Sequence, residues 1–224
     1  MHFVRKTGHI SLQNYCRVNM QSIDNKMVAR IRGYGRGRCF SPADFKDIGN
    51  TSAVWTALSR LTQRGIIRRV AQGLYDFPRK HPEIGTLSPS PDTVAQALSR
   101  SRSIRIQPTG AYAANLLGLS EQVPARIVFL TDGAPRRVRF GNQEIVLRRT
   151  TPRNMATAGR ISGTVIQALR FIGKDRIVPQ HINILKKRLN GREKRELLKD
   201  RQYAPGWMRR PLMEIAEGEG MPHA

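Results

Sequence analysis

Residues 50–65 (NTSAVWTALSRLTQRG) carry the clearest secondary-structure signal in the chain, and they limit how the residues around them can fold. Val54, Leu58 and Leu61 recur at the spacing of an α-helix, which predicts a single apolar stripe on one side. The segment begins with residue types that cap helices and ends in Gly65, a residue type that stops them. A helix with one apolar stripe must bury it, so we expect the neighbouring segments to supply a core.

The segments on either side of this helix predict a compact set of further elements. Residues 22–49 predict a helix, a short strand and a second helix, because their apolar spacing changes at Gly and Pro signals in that order. Residues 66–78 predict a hairpin with Gly73 at its turn. Helix, strand, helix, turn, helix and hairpin is the order of a winged helix-turn-helix, which we expect over residues 22–80.

Composition divides the rest of the chain. Residues 1–21 show no helical or strand periodicity and are predicted to be a disordered tail, and residues 213–224 are predicted to fray. Residues 81–91 are rich in Pro and Ser, which indicates a linker between domains. A second domain is expected over residues 92–212, with two short helices, three strands in an antiparallel meander, and basic amphipathic helices. The predicted fold class is therefore α+β, in two domains.

The charge of the chain indicates the kind of partner it meets. Its 224 residues include 39 Lys and Arg but only 16 Asp and Glu, a formal net charge of +23. Folding does not require this excess and self-repulsion opposes it, whereas a polyanionic partner relieves it. Nucleic acid is the partner that the charge favours, and a basic protein without such a partner is the alternative.

The side of helix 50–65 opposite its apolar stripe has the side chains expected of a DNA-contacting face. Hydroxyl and amide groups on such a helix reach base edges in the major groove. The predicted base-contacting residues are Ser52, Thr56, Ser59 and Gln63. The residues predicted to hold the flanking phosphates are Arg60, Arg64, Arg68 and Arg69.

Two features of this region leave alternatives. Trp55 flanks the predicted base-contacting face, and we expect burial there rather than contact with a base. A winged helix also serves in some proteins only to dock other proteins, with its arginines merely solvated. The concentration of arginine at the end of helix 50–65 and in the hairpin favours DNA.

The predicted meander of the second domain is also rich in arginine. Alternation along a strand places Arg137 and Arg139 on one face, away from Val138 and Phe140. Such a face is either solvated or a second surface for nucleic acid or another partner. The arginines concerned are Arg136, Arg137, Arg139, Arg148 and Arg149.

No sequence pattern indicates catalysis or a bound metal. Cys16 and Cys39 form no CxxC pair and no disulfide framework, and the five histidines lack the spacing of metal ligands. No apolar run reaches the ~20 residues of a membrane span, and the N-terminus lacks the apolar core of a signal peptide. We expect a cytoplasmic protein that is not an enzyme, uses no metal or cofactor and binds no membrane.

Several stretches of the chain resemble one known family. AVWTALSRLTQRGIIRRVAQGLYDFP, preceded by FSPADF, is similar to the N-terminal winged helix of the AbiEi-type antitoxins of type IV, or abortive-infection, toxin–antitoxin pairs. PTGAYAANLLGL, VFLTDG and the arginine-rich strands resemble the domain behind that winged helix and are the more specific part of the likeness. The resemblance covers residues 22–200 and is closest to an uncharacterised subfamily grouped with these antitoxins.

The resemblance implies a function for each half of the chain. It implies a transcriptional autorepressor that binds repeats in its own promoter as double-stranded DNA. It also implies that the C-terminal domain counteracts a cognate nucleotidyltransferase-like toxin, directly or indirectly. The N-terminal tail and the long basic C-terminal segment depart from the family pattern. An RNA-binding or ribosome-associated basic protein is the alternative, because high basicity is common there as well.

Overall fold

The computed structural model describes residues 12–217, with side chains from Ile23 onward, and it divides into two compact units between Ser101 and Arg102. Both units combine helices with a β-sheet, so the predicted α+β class is confirmed. Within residues 12–217, no helix is long and apolar enough to cross a membrane. The predictions for residues 1–11 and 218–224 lie outside the described residues.

The first unit begins with the predicted order of elements. These are α1 (Leu12–Tyr34), β1 (Cys39–Phe40), a 3-10 helix (Pro42–Phe45), α2 (Thr51–Gln63), β2 (Arg68–Ala71) and β3 (Leu74–Asp76). They are followed by β4 (Lys80–His81), β5 (Gly85–Thr86) and α3 (Pro91–Arg102). Strands β1, β3 and β2 form one antiparallel sheet in that order, and β4 and β5 form a separate hairpin.

Helix α1 begins earlier than the sequence predicted. Residues 12–21, assigned to a disordered tail, form its first turns, so that assignment is wrong for them. No glycine or proline occurs between Leu12 and Arg32, so nothing in the backbone chemistry interrupts the helix before Gly33.

The core of the first unit joins α1, α2 and the three-stranded sheet. Phe40 and Phe45 meet edge to face at 5.5 Å between ring centroids, which packs β1 against the 3-10 helix. Around them lie the predicted apolar residues of both helices, all buried: Met27, Ile31, Val54, Leu58 and Leu61. The stripe predicted for α2 therefore faces this core.

The boundary between the two units differs from the predicted one. The segment predicted as a linker, 81–91, contains most of the β4–β5 hairpin, and the Leu87 carbonyl accepts a hydrogen bond from Arg68 Nη2 at 2.9 Å. Arg100 of α3 donates to the Cys39 carbonyl at 2.8 Å and to Asp44 Oδ1 at 3.1 Å. Cys39 and Asp44 are both in the first unit. Helix α3, predicted to open the second domain, therefore belongs to the first unit instead.

The second unit surrounds a four-stranded sheet with helices. Its strands are β6 (Ile106–Pro108), β7 (Arg126–Thr131), β8 (Arg136–Phe140) and β9 (Gln143–Arg149). Its helices are α4 (Gly110–Leu116), α5 (Pro152–Met155), α6 (Ile161–Ile172), α7 (Pro179–Arg188), α8 (Gly191–Asp200) and α9 (Arg209–Ala216). Three 3-10 turns accompany them at Lys174–Arg176, Arg201–Tyr203 and Gly206–Met208.

The sheet of the second unit is mixed, so the predicted antiparallel meander is wrong. The strand order is β6-β7-β9-β8, and β7 runs parallel to β9. Three of the five residues of β8 are arginines, which suits an edge strand beside water. The more apolar β9 takes the place next to β7, and Ile127, Phe129 and Ile145 of these two central strands are buried.

The C-terminal residues extend this unit rather than fray. Helix α9 includes residues 213–216 of the segment predicted to fray, so that prediction is wrong for them. Leu212 and Ile215 of α9 are completely buried in a cluster with Leu169 and Leu197. Apolar side chains that recur every three to four residues and are buried are enough to hold a short terminal helix in place.

Candidate nucleic-acid interface

Helix α2 presents the predicted base-contacting face to solvent. Asn50 caps the helix by accepting a hydrogen bond from the Ala53 backbone N–H at 2.9 Å. Because the helix is anchored by its buried stripe, the opposite side must point outward. The four residues of this face are all exposed: Ser52, Thr56, Ser59 and Gln63.

The hydrogen-bonding capacity of this face is mostly unused inside the protein. Thr56 Oγ1 donates to the Ser52 carbonyl at 2.9 Å, so its hydroxyl offers a partner mainly its acceptor lone pairs. Within residues 23–217, the side chains of Ser59 and Gln63 have no hydrogen-bond partner. The face can therefore supply hydroxyl and amide groups to an outside partner without breaking internal bonds.

Arg60, predicted to hold a phosphate, is bound to a carboxylate within the fold. Its Nε and Nη2 donate to the two carboxylate oxygens of Asp24 at 3.1 and 2.6 Å. These hydrogen bonds raise the pKa of Arg60, and only 12% of the Asp24 side chain is exposed. Arg60 thus ties α2 to α1, and its charge is compensated within the fold.

Arg68 is likewise held by a carboxylate. Its Nε and Nη2 donate to Asp76 at 3.1 and 2.6 Å, and the Asp76 side chain is completely buried. The pair lies in register across β2 and β3, because a bulge between Arg69 and Ala71 shifts the strands by one residue. Arg68 therefore anchors the β2–β3 hairpin and is not a free cation at its surface.

Arg64 and Arg69 are the two predicted phosphate-holding residues that stay available. Arg64 is 62% exposed and lies 3.9 Å from Asp24 Oδ2, too far for a hydrogen bond. Arg69 is exposed on β2, opposite Tyr75 in the register. Exposed positive charge beside α2 is therefore supplied by Arg64 at the C-terminal end of the helix and by Arg69 on the hairpin.

Trp55 lies at the edge of the exposed face, where sequence reasoning favoured burial. Trp55 is 43% exposed, so it is only partly buried. Gly73, at the tip of the β2–β3 hairpin with a φ of 72°, lies beside it, and a Cβ on Gly73 would be 3.9 Å from Trp55 Cη2. Trp55 thus brings the hairpin tip and the first turns of α2 into one surface.

The arginines of the second unit do not form one patch. Arg137 and Arg139 are exposed while Val138 and Phe140 are buried, as alternation predicted. Arg148 shares their side of the sheet, as does Arg126, which was not among the predicted arginines. Arg136 and Arg149 follow the opposite alternation and stand at strand ends on the core side.

One carboxylate moderates the charge of this sheet face. Glu144 lies 3.4 Å from Arg126 and 3.7 Å from Arg139. Arg137 and Arg148 have no ion-pair partner within residues 23–217. We call Arg126, Arg137, Arg139 and Arg148 the outer sheet face. It is a solvent-exposed surface with a net positive charge.

The sequence profile of a family of unknown function, DUF6088, matches residues 26–197. The chain belongs to this family. No curated protein matches the chain. The DUF6088 match begins within α1, spans both α2 and the outer sheet face, and ends within α8. The two surfaces described here therefore both lie within the part of the chain that defines its membership of DUF6088.

Proposed function

We propose that the first unit is a winged helix-turn-helix that binds double-stranded DNA, with α2 in the major groove. The observation that carries the proposal is the exposed, carboxylate-free polar face of α2. Its side chains are of the types that hydrogen-bond base edges, and a helix of this diameter fits the groove. The preceding 3-10 helix and the following β2–β3 hairpin support this assignment, because they occupy the places of the second helix and the wing.

Arg64 and Arg69 supply the phosphate contacts in this proposal. Each is exposed, and the two flank the polar face at the C-terminal end of α2 and on the wing. Phosphate contacts set the position of a helix on the duplex, whereas base contacts set its sequence preference. Arg60 and Arg68 contribute by fixing α2 and the wing, since their guanidinium groups are bound to Asp24 and Asp76.

A binding assay with two duplexes tests this proposal. Fluorescence anisotropy is measured with a fragment of the chain's own promoter and with a shuffled duplex of equal length. We expect the promoter fragment to bind more tightly. Gln63→Ala, which removes an amide able to bond a base edge through two atoms, should reduce that preference by about tenfold, and Ser59→Ala should also reduce it. Gln122→Ala, an exposed glutamine of the second unit, is the matched control. Equal binding of both duplexes by the wild type would contradict the proposal.

We further propose that the protein is a cytoplasmic autorepressor and the antitoxin of a type IV pair. The support is the resemblance of its winged helix, PTGAYAANLLGL and VFLTDG segments to AbiEi-type antitoxins. Co-expression with an adjacent nucleotidyltransferase-like gene should restore growth, and repression of a promoter reporter should need Gln63 and Arg69. Failure to restore growth alongside intact repression would leave a DNA-binding regulator that is not an antitoxin.

RNA binding is a second candidate function, and the outer sheet face favours it. An open sheet face with four arginines, two of which have no ion-pair partner among the described residues, is a surface on which phosphates of RNA can lie. Arg137→Ala with Arg148→Ala should then reduce binding of an RNA duplex at least as much as Arg64→Ala with Arg69→Ala. A larger loss of binding in the Arg64→Ala, Arg69→Ala variant, together with tighter binding of DNA than of RNA by the wild type, supports the DNA-binding proposal.

A further inference from the structure

The first unit contains a cavity on which four arginines converge. Its volume is about 340 Å³, at the small end of the range for ligand pockets. It lies between the loop before β1 and the segment leading into α3. Four arginines and three hydroxyl-bearing residues line it: Arg36, Arg38, Arg79, Arg100, Ser88, Ser90 and Thr93.

Three of the four arginines are held in place by other groups. The guanidinium of Arg36 stacks on the Phe77 ring at 4.6 Å and donates to the Pro78 carbonyl at 3.0 Å. That of Arg38 lies 5.2 Å from the centroid of the Tyr34 ring. Arg100 is fixed by its bonds to Asp44 and the Cys39 carbonyl. Stacked and hydrogen-bonded guanidinium groups lose little freedom when they bind a ligand.

The cavity carries an uncompensated positive charge. No carboxylate is among the described residues that line it. Asp44 balances Arg100, but within residues 23–217 no ion pair balances Arg36, Arg38 or Arg79. Like charges around one concavity repel, so an anion that enters it relieves a repulsion already present in the fold.

The cavity is at the far end of the sheet from the proposed DNA contact. Strand β3 starts beside Gly73 at the wing tip and runs to Asp76, which pairs with Cys39. Arg38 and Arg79 lie just beyond that end of the sheet, whereas Trp55 and the polar face of α2 begin at the wing tip. The cavity is thus a separate site within the same unit.

We propose that this cavity binds the phosphate group of a phosphorylated small molecule. The planar fork of arginine matches the geometry of phosphate oxygens, and the exposed Ser88 hydroxyl adds a donor at the cavity wall. Leu87 and Pro89 form an apolar part of the wall that suits the uncharged portion of such a molecule. This site goes beyond DNA binding and does not depend on it.

Isothermal titration of the full chain with sodium pyrophosphate tests the site, without DNA and at constant ionic strength. The variant is Arg36→Gln with Arg79→Gln, and the matched control is Arg32→Gln, an exposed arginine of α1 outside the cavity. We expect the wild type and the control to bind pyrophosphate with the same Kd, and the double variant to bind at least about tenfold more weakly. Urea midpoints measured in parallel establish that the double variant is folded.

Two results would overturn this proposal. One is the same Kd for the wild type and the folded double variant, or no heat beyond that of sodium chloride. The other is evidence that the cavity binds a phosphate of the DNA backbone and not a small molecule. That evidence would be displacement of pyrophosphate by promoter duplex, together with a loss of duplex affinity in the double variant as large as the loss in Arg69→Gln. If the wild type binds pyrophosphate but no duplex, the site stands and the DNA-binding proposal fails.

Discussion

Arg68 donates hydrogen bonds from Nε and Nη2 to the two carboxylate oxygens of Asp76, at 3.1 and 2.6 Å, and the Asp76 side chain is completely buried. The same Arg68 Nη2 also donates to the Leu87 carbonyl at 2.9 Å. A buried carboxylate without its cation is costly, because burial removes the water that would otherwise stabilise its charge. The wing, β3 and the segment before α3 are therefore held together by one guanidinium group.

Arg68→Ala is expected to destabilise the protein rather than simply remove a DNA contact. Because Arg68 is partly exposed, we expect a loss of about 2 to 3 kcal/mol in the free energy of unfolding. The measurement is urea denaturation, with the stability change taken from the midpoint at constant slope. Arg69→Ala, the exposed neighbour, is the control and should change stability by less than about 0.5 kcal/mol. Equal midpoints for the two variants would show that the Arg68–Asp76 pair does not stabilise the fold.

Arg64→Ala and Arg69→Ala are expected to act on DNA affinity alone. Each removes one exposed charge, so binding to every duplex should weaken. The slope of log K against log salt, which is negative, should become less steep by about one unit. Anisotropy titrations over a series of salt concentrations measure this slope. Arg60→Ala serves as the comparison, because its charge is already bound by Asp24. A slope change for Arg60→Ala as large as that for Arg69→Ala would mean that the Arg60–Asp24 pair opens on DNA.

The sequence was sufficient to predict which side of α2 is exposed, because helical periodicity alone determines it. It was not sufficient to tell a free arginine from a bound one. Counting back from a symmetrical turn at Gly73 would pair Arg69 with Asp76, but the bulge shifts the register and makes Arg68 the partner. Asp24 lies 36 residues before Arg60, and no local pattern links them.

The sequence was likewise not sufficient to predict the strand order of the sheet in the second unit. The three strands β7, β8 and β9 and their turns follow from local signals, but adjacent strands in sequence need not be adjacent in the sheet. The choice of β9 as the neighbour of β7 depends on which strand brings more apolar side chains to the core side of the sheet. That property belongs to the packed sheet, where Phe129 and Ile145 are buried while Arg137 and Arg139 remain at the edge.

Asp47 should titrate at unusually low pH because of Arg30. Arg30 Nη1 and Nη2 each donate to Asp47 at 2.6 Å, and these bonds lower the pKa of Asp47 to about 2. The contribution of the pair to stability is therefore present above the pKa of Asp47 in the unfolded chain, and is lost as pH falls through about 2. NMR titration of the carboxylate measures this value. In Arg30→Ala the pKa should rise toward 3.8, the ordinary value for Asp; an unchanged pKa would contradict the pairing.

Trp55 should report DNA binding by its fluorescence. The chain has two tryptophans, so Trp207→Phe leaves Trp55 as the only one. Because its side chain is 43% exposed, acrylamide should quench it readily in the free protein. If the wing tip and the first turns of α2 face the duplex, the promoter fragment should reduce that quenching. Quenching that is equally strong with saturating duplex would place Trp55 outside the contact.

Gly163→Ala is expected to destabilise the second unit through steric overlap. A Cβ at this position would lie 2.5 Å from the Thr157 carbonyl oxygen and would also overlap the side-chain amide of Gln107, closer than nonbonded atoms approach. The carbonyl is backbone and cannot move aside without shifting the start of α6, so we expect a loss of about 2 kcal/mol. Gly206→Ala is the matched control, because nothing lies within 4 Å of its Cβ position. Urea denaturation of both variants measures the difference. Equal midpoints would mean that the segment around Thr157 yields to an added methyl group.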